Sequence, residues 1–113
     1  MIEKGTLKNG MDIYRVDGWD GGASPMLEKW IIVSVARVFV TMRRDGRAGT
    51  DRVQVFRVEF NYHPTVREAV RDFIDRSEHT ITAARRTITK SEAGIEAARG
   101  FLTARLPGDP DAP

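Results

Sequence analysis

The stretch that follows Pro64 sets the hardest constraint on this chain. From Thr65 onward, Val66, Val70, Phe73, Ser77, Ile81, Ala84 and Ile88 recur every three or four residues. That is an apolar stripe of helical period. A single helix from Thr65 to Leu106 would be roughly 60 Å long at 1.5 Å per residue. The residues before it cannot build a sheet that covers such a length. Either the helix breaks near Thr89-Lys90-Ser91 and folds back as a hairpin, or it projects and pairs with another copy. Thr89-Lys90-Ser91-Glu92 could cap a second helix carrying Ile95, Ala98, Phe101 and Leu102 inward. Gly94 and Gly100 weaken it by about 1 kcal/mol each relative to alanine. The hairpin is the favoured reading, with the helices also building a dimer interface. Ser77 and Ala84 on the seam suit close helix approach. A monomer with both helices packed on a sheet is the alternative.

The first half has a different period. Up to Tyr62 the pattern is strand-like, and the switch falls at Asn61-Tyr62-His63-Pro64, where proline disfavours helix in the residue before it. A weak strand over 5–8 leads to Asn9-Gly10, a hairpin signal. Met11–Val16 reads as a short strand. Asp17-Gly18-Trp19-Asp20-Gly21-Gly22-Ala23-Ser24-Pro25 reads as a loop. Met26 to Met42 reads as one long strand, or two separated by a bend near Ala36-Arg37. Arg43-Arg44-Asp45-Gly46-Arg47-Ala48-Gly49-Thr50 is the next turn. Arg52 to Tyr62 reads as the returning strand, with Phe56, Val58, Phe60 and Tyr62 on one face. Thr65-Val66-Arg67-Glu68 fits a capping box that opens the helical segment. The expectation is an α+β fold. A small antiparallel β-meander or partly open barrel over 5–62 precedes helices over 65–105, in one domain spanning 1–106. Residues 107–113 are expected to be a disordered tail.

Composition removes several function classes. With 113 residues the chain is one domain's length. It has no cysteine, which excludes disulfides, thiolate zinc sites and a Cys nucleophile. Its two histidines, His63 and His79, supply a metal site or a Ser-His-Asp triad poorly. Asp17 and Asp20 share a loop and could act on a metal or as acid and base, but Asp-Gly pairs are also plain turn chemistry. No nucleotide-binding, hydrolase or deaminase motif is present. No catalytic residue, metal or cofactor is therefore expected, and the protein is read as a non-enzyme. The longest apolar run, Trp30–Ala36, is too short to span a membrane. The N-terminus lacks the apolar stretch of a signal peptide, so a cytoplasmic protein without membrane contact is expected. The net charge is +2, less basic than duplex DNA binders usually are.

The candidate ligand-binding residues are Gly18, Trp19, Ser24, Arg43, Arg44, Tyr62, His63, Arg99 and Arg105. A tryptophan between glycines can stack on a base beside backbone amides that bind an anion. Its alternative role is to plug one end of the sheet. Trp30, inside a strand, is expected in the core. Arg43, Arg44 and Arg47 lie beside glycines at one turn and could cradle phosphate, or simply form a solvated hairpin tip. Tyr62 and His63 sit at the strand–helix junction. Arg99 and Arg105, on the helices, would complete a pocket if they faced the sheet rim.

The order of features carries a resemblance. Ile13-Tyr14-Arg15-Val16-Asp17-Gly18-Trp19, a Ser24-Pro25 loop and Leu27-Glu28-Lys29-Trp30-Ile31-Ile32-Val33 come first. Tyr62-x-x-Thr65-x-x-Glu68-Ala69 then opens the helical segment. This layout resembles small phage-encoded proteins with a β-meander followed by helices. Among them it is similar to the Thoeris anti-defence sponges of the first class. The resemblance implies a homo-oligomer, a dimer or trimer of dimers, in the host bacterial cytoplasm. It implies pockets near the sheet–helix junction. They would sequester a cyclic ADP-ribose-type or cyclic oligonucleotide immune signal without degrading it. Other readings remain open: a protein-blocking inhibitor of a bacterial immune complex, as in anti-CRISPR proteins; an SH3-like nucleic-acid-binding module; a small nucleotide hydrolase; and a virion protein.

Overall fold

The computed structural model describes residues 1–19 and 23–104, with Trp19 by its backbone alone. The chain forms two compact units, Met1–Ser77 and a second that begins at Glu78. The first holds strands β1 (Asp12–Trp19), β2 (Ser24–Val35), β3 (Phe39–Arg44) and β4 (Asp51–Gln54), and helix α1 (Val55–Asn61). Helix α2 (Val66–Thr103) begins there and supplies the helix of the second unit. The strands form an open antiparallel sheet in the order β1-β2-β3-β4, so the fold is α+β as expected.

Cross-strand register explains which residues are buried, because residues opposite each other share a face. Ile13 lies opposite Trp30, Ile32 opposite Met42, and Val40 opposite Val53. Ile13, Trp30, Ile32, Val40 and Met42 form one core cluster with Ile2, Val58 and Tyr62. The other face carries Asp12, Lys29 and Arg43, and an Asp12–Lys29 ion pair at 3.8 Å lies along it. The run Met26–Met42 resolves into two strands. The register shifts between Ile32 and Ser34, leaving Val33 as the extra residue of a bulge. The turn follows at 36–38, closed by the Ala36 amide donating to Phe39 O at 2.9 Å.

The loops expected over 17–25 and 43–50 are shorter than read, since β1 runs through Trp19, β2 begins at Ser24 and β3 ends at Arg44. Three further expectations need correction. Residues 5–8 form no strand; Gly5 and Gly10 instead take positive φ at turns. The returning strand stops at Gln54, and the residues after it are helical. The string Val55-Phe56-Arg57-Val58-Glu59-Phe60-Asn61-Tyr62 satisfies two periods at once. It alternates like a strand, yet Val55, Val58 and Tyr62 also recur as a helical stripe. The helix turns Val58 and Tyr62 into the core and leaves Phe56 and Phe60 exposed. Third, α2 is one uninterrupted helix of 38 residues, with no hairpin at Thr89-Lys90-Ser91. Thr89, which could have capped a break, bonds within the helix instead, as does Thr87. Thr87 Oγ1 donates to Ala83 O at 3.1 Å and Thr89 Oγ1 to Arg85 O at 3.0 Å. At the true start of α2, Thr65 Oγ1 accepts from the Glu68 amide at 3.2 Å. Every described residue from Glu78 onward is exposed.

Candidate functional site

Two cavities of about 220 Å³ each lie in the first unit. They differ in what surrounds them.

The first sits where α1 hands over to α2, lined by Met1, Arg15, Phe60, Asn61, His63, Asp72 and Arg76. Residue 63 is held by a two-way backbone bridge to β1: Tyr14 and His63 exchange amide-to-carbonyl bonds, both at 2.8 Å. The residue is 4 % exposed. The Met1 amino group contacts Nδ1, and Nε2 faces Asp72 Oδ2 at 3.3 Å without hydrogen-bond alignment. Burial holds the imidazole below its ordinary pKa. The amino-terminal charge adds to this and the Asp72 carboxylate opposes it. A neutral ring that accepts at Nδ1 carries its proton on Nε2, toward Asp72. Arg76 closes the network. Its Nε lies 2.8 Å from Asp72 Oδ2, its Nη1 lies 3.6 Å from Asp17 Oδ1, and its Nη2 donates to Val16 O at 2.6 Å. Arg15 Nε lies 3.4 Å from Asp17 Oδ2. Two guanidinium groups thus meet two carboxylates. The charges are matched internally, and the network ties the start of α2 to β1.

The second cavity lies under the β3–β4 turn, lined by Trp30, Arg44, Arg47, Ala48, Gly49, Thr50 and Asp51. Cross-strand pairing builds it. Trp30 lies opposite Arg44, and Met42 lies opposite Asp51. The turn needs glycine, since Gly46 and Gly49 have φ of 80° and 88°, where a side chain would be strained. Trp30 Nε1 donates to Glu28 Oε1 at 3.2 Å, and Arg44 Nη1 lies 3.9 Å from the same oxygen. That carboxylate fixes both the indole and the guanidinium. Tyr62 meets Trp30 edge to face, with ring centroids 6.3 Å apart, and Arg15 lies over the Tyr62 ring. Burial pushes the Tyr62 hydroxyl above its ordinary pKa, against the pull of the Arg15 guanidinium.

The predicted residues do not converge on one place. Arg44 lines the β3–β4 cavity and His63 lines the junction cavity. Arg43 is next to Arg44 in the strand, so it points to the opposite face of the sheet. Tyr62 is a core residue rather than an open stacking platform. Gly18 and Ser24 lie in the β1–β2 hairpin, with Gly18 opposite Pro25 and Ser24 opposite Trp19. Along β2, Ser24 is roughly 20 Å from Trp30 at 3.3 Å per residue, so that hairpin end and the Arg44 cavity are separate. The Trp19 side chain and Arg105 lie outside the described residues. Arg99 belongs to the second unit, exposed and 3.9 Å from Glu96 Oε2.

Sequence reasoning missed Arg15, Glu28, Asp72 and Arg76. The Asp72–Arg76 spacing of four is a helical ion-pair signal, but it does not say which strand the pair meets. Among the described residues no group of His, Asp or Glu could hold a metal ion, and no helix is long and apolar enough to cross a membrane. No protein-family model, curated protein or solved structure matches the chain.

Proposed function

We propose that this protein binds a phosphate-bearing small molecule at the β3–β4 cavity and sequesters it unchanged. One observation carries the reading: an indole edge, two arginines and a glycine-shaped turn converge there. Arginine forks suit phosphate oxygens, and the turn backbone can approach an anion closely. Arg44 is already oriented by Glu28, so less freedom is lost when it engages a ligand. The junction cavity is the weaker candidate because both of its arginines meet carboxylates, Asp17 and Asp72, whereas of the two arginines at the β3–β4 cavity Arg44 meets Glu28 and Arg47 forms no ion pair with a described residue. At about 220 Å³ the β3–β4 cavity is smaller than the usual ligand pocket of about 300–1,000 Å³. It therefore takes a phosphate and part of an attached sugar, with the remaining ligand on the rim. The resemblance in layout to the first-class Thoeris anti-defence sponges supplies the ligand class and the role. The ligand is a cyclic ADP-ribose-type or cyclic oligonucleotide signal, and the role is depletion of that signal during phage infection.

The test is a thermal-shift panel of cyclic ADP-ribose isomers, cyclic dinucleotides and cyclic trinucleotides. A ligand at 100 times its dissociation constant stabilises by about 2.7 kcal/mol, several degrees for a domain of this size. A selective shift is expected, lost in Arg47→Ala and reduced in Arg44→Ala, with the ligand recovered intact by chromatography. A flat panel refutes the ligand class. Conversion of the ligand refutes sequestration.

A further inference from the structure

The described residues of the second unit are helical to Thr103, and none of their faces is covered. Ile81, Ile88, Ile95 and Leu102 are all half or more exposed. They recur every seven residues, and Ala84, Ser91 and Ala98 fall between them. Alternating steps of three and four describe a seam of period 3.5, which suits two helices wound together. Thr80, Thr82, Thr87, Thr89, Gly94 and Gly100 make this a poor helix on its own.

The seam alone does not say what covers it. The flanks do. On one side, one residue after each small seam position, stand Arg85, Glu92 and Arg99, and Glu78 continues the row two turns earlier. Their signs alternate. On the other side, one residue before each large seam position, stand Thr80, Thr87, Gly94 and Phe101, with no charge among them. In a parallel pair each flank faces the opposite flank of the other helix, so these charges would meet threonine, glycine and phenylalanine. In an antiparallel pair, like flank meets like flank.

We propose that the second unit pairs antiparallel with the same helix of a second copy of this chain, in one register. In that register Glu78 meets Arg99 of the second copy, Arg85 meets its Glu92, and symmetry repeats both contacts. Every charged flank pair is then of opposite sign. The same alignment sets Ile81 against the second copy's Ala98, Ile88 against its Ser91 and Ile95 against its Ala84. Each layer combines one large and one small side chain, which allows close packing without voids. Sliding either helix by seven residues brings Glu92 or Arg85 against its own equivalent, and like charges disfavour the shift. The alternating row therefore selects both direction and register. The inference deepens the expectation that the helices carry a homo-oligomer, and it is independent of any ligand.

Two measurements on the full-length chain test it. Glu78→Arg with Glu92→Arg makes the row all positive, and Arg85→Glu with Arg99→Glu makes it all negative. At low salt each double variant should self-associate about 100-fold more weakly than the native chain, while an equimolar mixture should recover native-strength association. Sedimentation velocity reads both. Undiminished self-association of either variant, no recovery on mixing, or a native chain that stays monomeric overturns the proposal. Direction is read by spin labels, which the cysteine-free sequence makes unique. In the native background Lys90→Cys labels should lie near each other across the pair. Glu96→Cys labels should be separated axially by about 20 Å at 1.5 Å per residue. Equal short distances at both positions mean a parallel pair and overturn the proposal. None of these readouts depends on nucleotide binding, so a failed ligand panel leaves the inference standing and a failed charge swap leaves the ligand reading standing.

Discussion

Ile31 and Ile32 are consecutive isoleucines on β2, and truncating each to alanine should have very different costs. Ile32 is fully buried, opposite Met42 in the core cluster. Ile31 lies on the far face, between Asp12 and Arg43, and is only partly covered. Ile32→Ala removes three carbons, worth about 2.4 kcal/mol of transfer at about 0.8 kcal/mol each. A cavity that collapses halfway adds about 1 kcal/mol, at about 24 cal/mol per Å³ of residual volume. The total is about 3.5 kcal/mol. Ile31→Ala loses only part of the transfer term and opens no cavity, so about 1 kcal/mol is expected. The backbone bonds of residue 32, from Gly10 N to its carbonyl at 2.6 Å and from its amide to Met11 O at 2.9 Å, are the same in both variants. The comparison therefore isolates the side-chain face. Urea unfolding at 25 °C should be followed by tryptophan fluorescence, because Trp30 reports on the core while helical circular dichroism is dominated by α2. The slope with denaturant should not change. Equal losses, or a larger loss for Ile31→Ala, would place the wrong face of β2 inward and refute the register of the sheet.

Two further outcomes follow from the junction. Thr65→Ala removes the hydroxyl that accepts from the Glu68 amide and should cost about 1 kcal/mol, with Thr65→Ser largely restoring it, by the same urea assay. His63 has its pKa lowered in the folded state, so below its ordinary value of 6.5 the unfolded chain binds more protons than the folded one. The stability it contributes is complete above pH 6.5 and is lost as pH falls toward its folded value. His63→Gln should flatten that slope in melting curves taken across the range. An unchanged slope would assign the acid sensitivity to other groups.

The β-meander is legible in the sequence where one physical requirement acts alone. Asp45-Gly46 marks a turn because Gly46 must take positive φ, and Trp30 marks the core because a large indole inside a strand goes to the dry face. Reading fails where two requirements are met by the same letters. Residues 55–62 satisfy both an alternating and a helical period. The choice is made by tertiary contacts: the Val55 amide donates to Val38 O at 2.8 Å, and the Ile2 amide to Glu59 O at 2.7 Å. Neither contact is visible locally. Thr89-Lys90-Ser91-Glu92 likewise matches a capping box, but a cap forms only where the backbone has left the helix, and nothing there makes it leave.

The sites show the same division in a sharper form. Arg43 and Arg44 are chemically equivalent in the sequence, and only the cross-strand partner separates them. Arg44 shares a face with Trp30 and Glu28, whereas Arg43 shares one with Ile31. A binding site is a statement about faces, and faces depend on register. Register along β2 is set by a bulge at Val33 that no residue type there announces. The seam of the second unit is the opposite case. A helix keeps its period without help from distant residues, so the positions of Ile81, Ile88 and Ile95 and of the charges beside them follow from spacing alone. Arg44 needed the fold before it could be assigned a role. Glu78, Arg85, Glu92 and Arg99 have their spacing fixed by the helix alone, and in the proposed antiparallel pair a second copy would supply their partners.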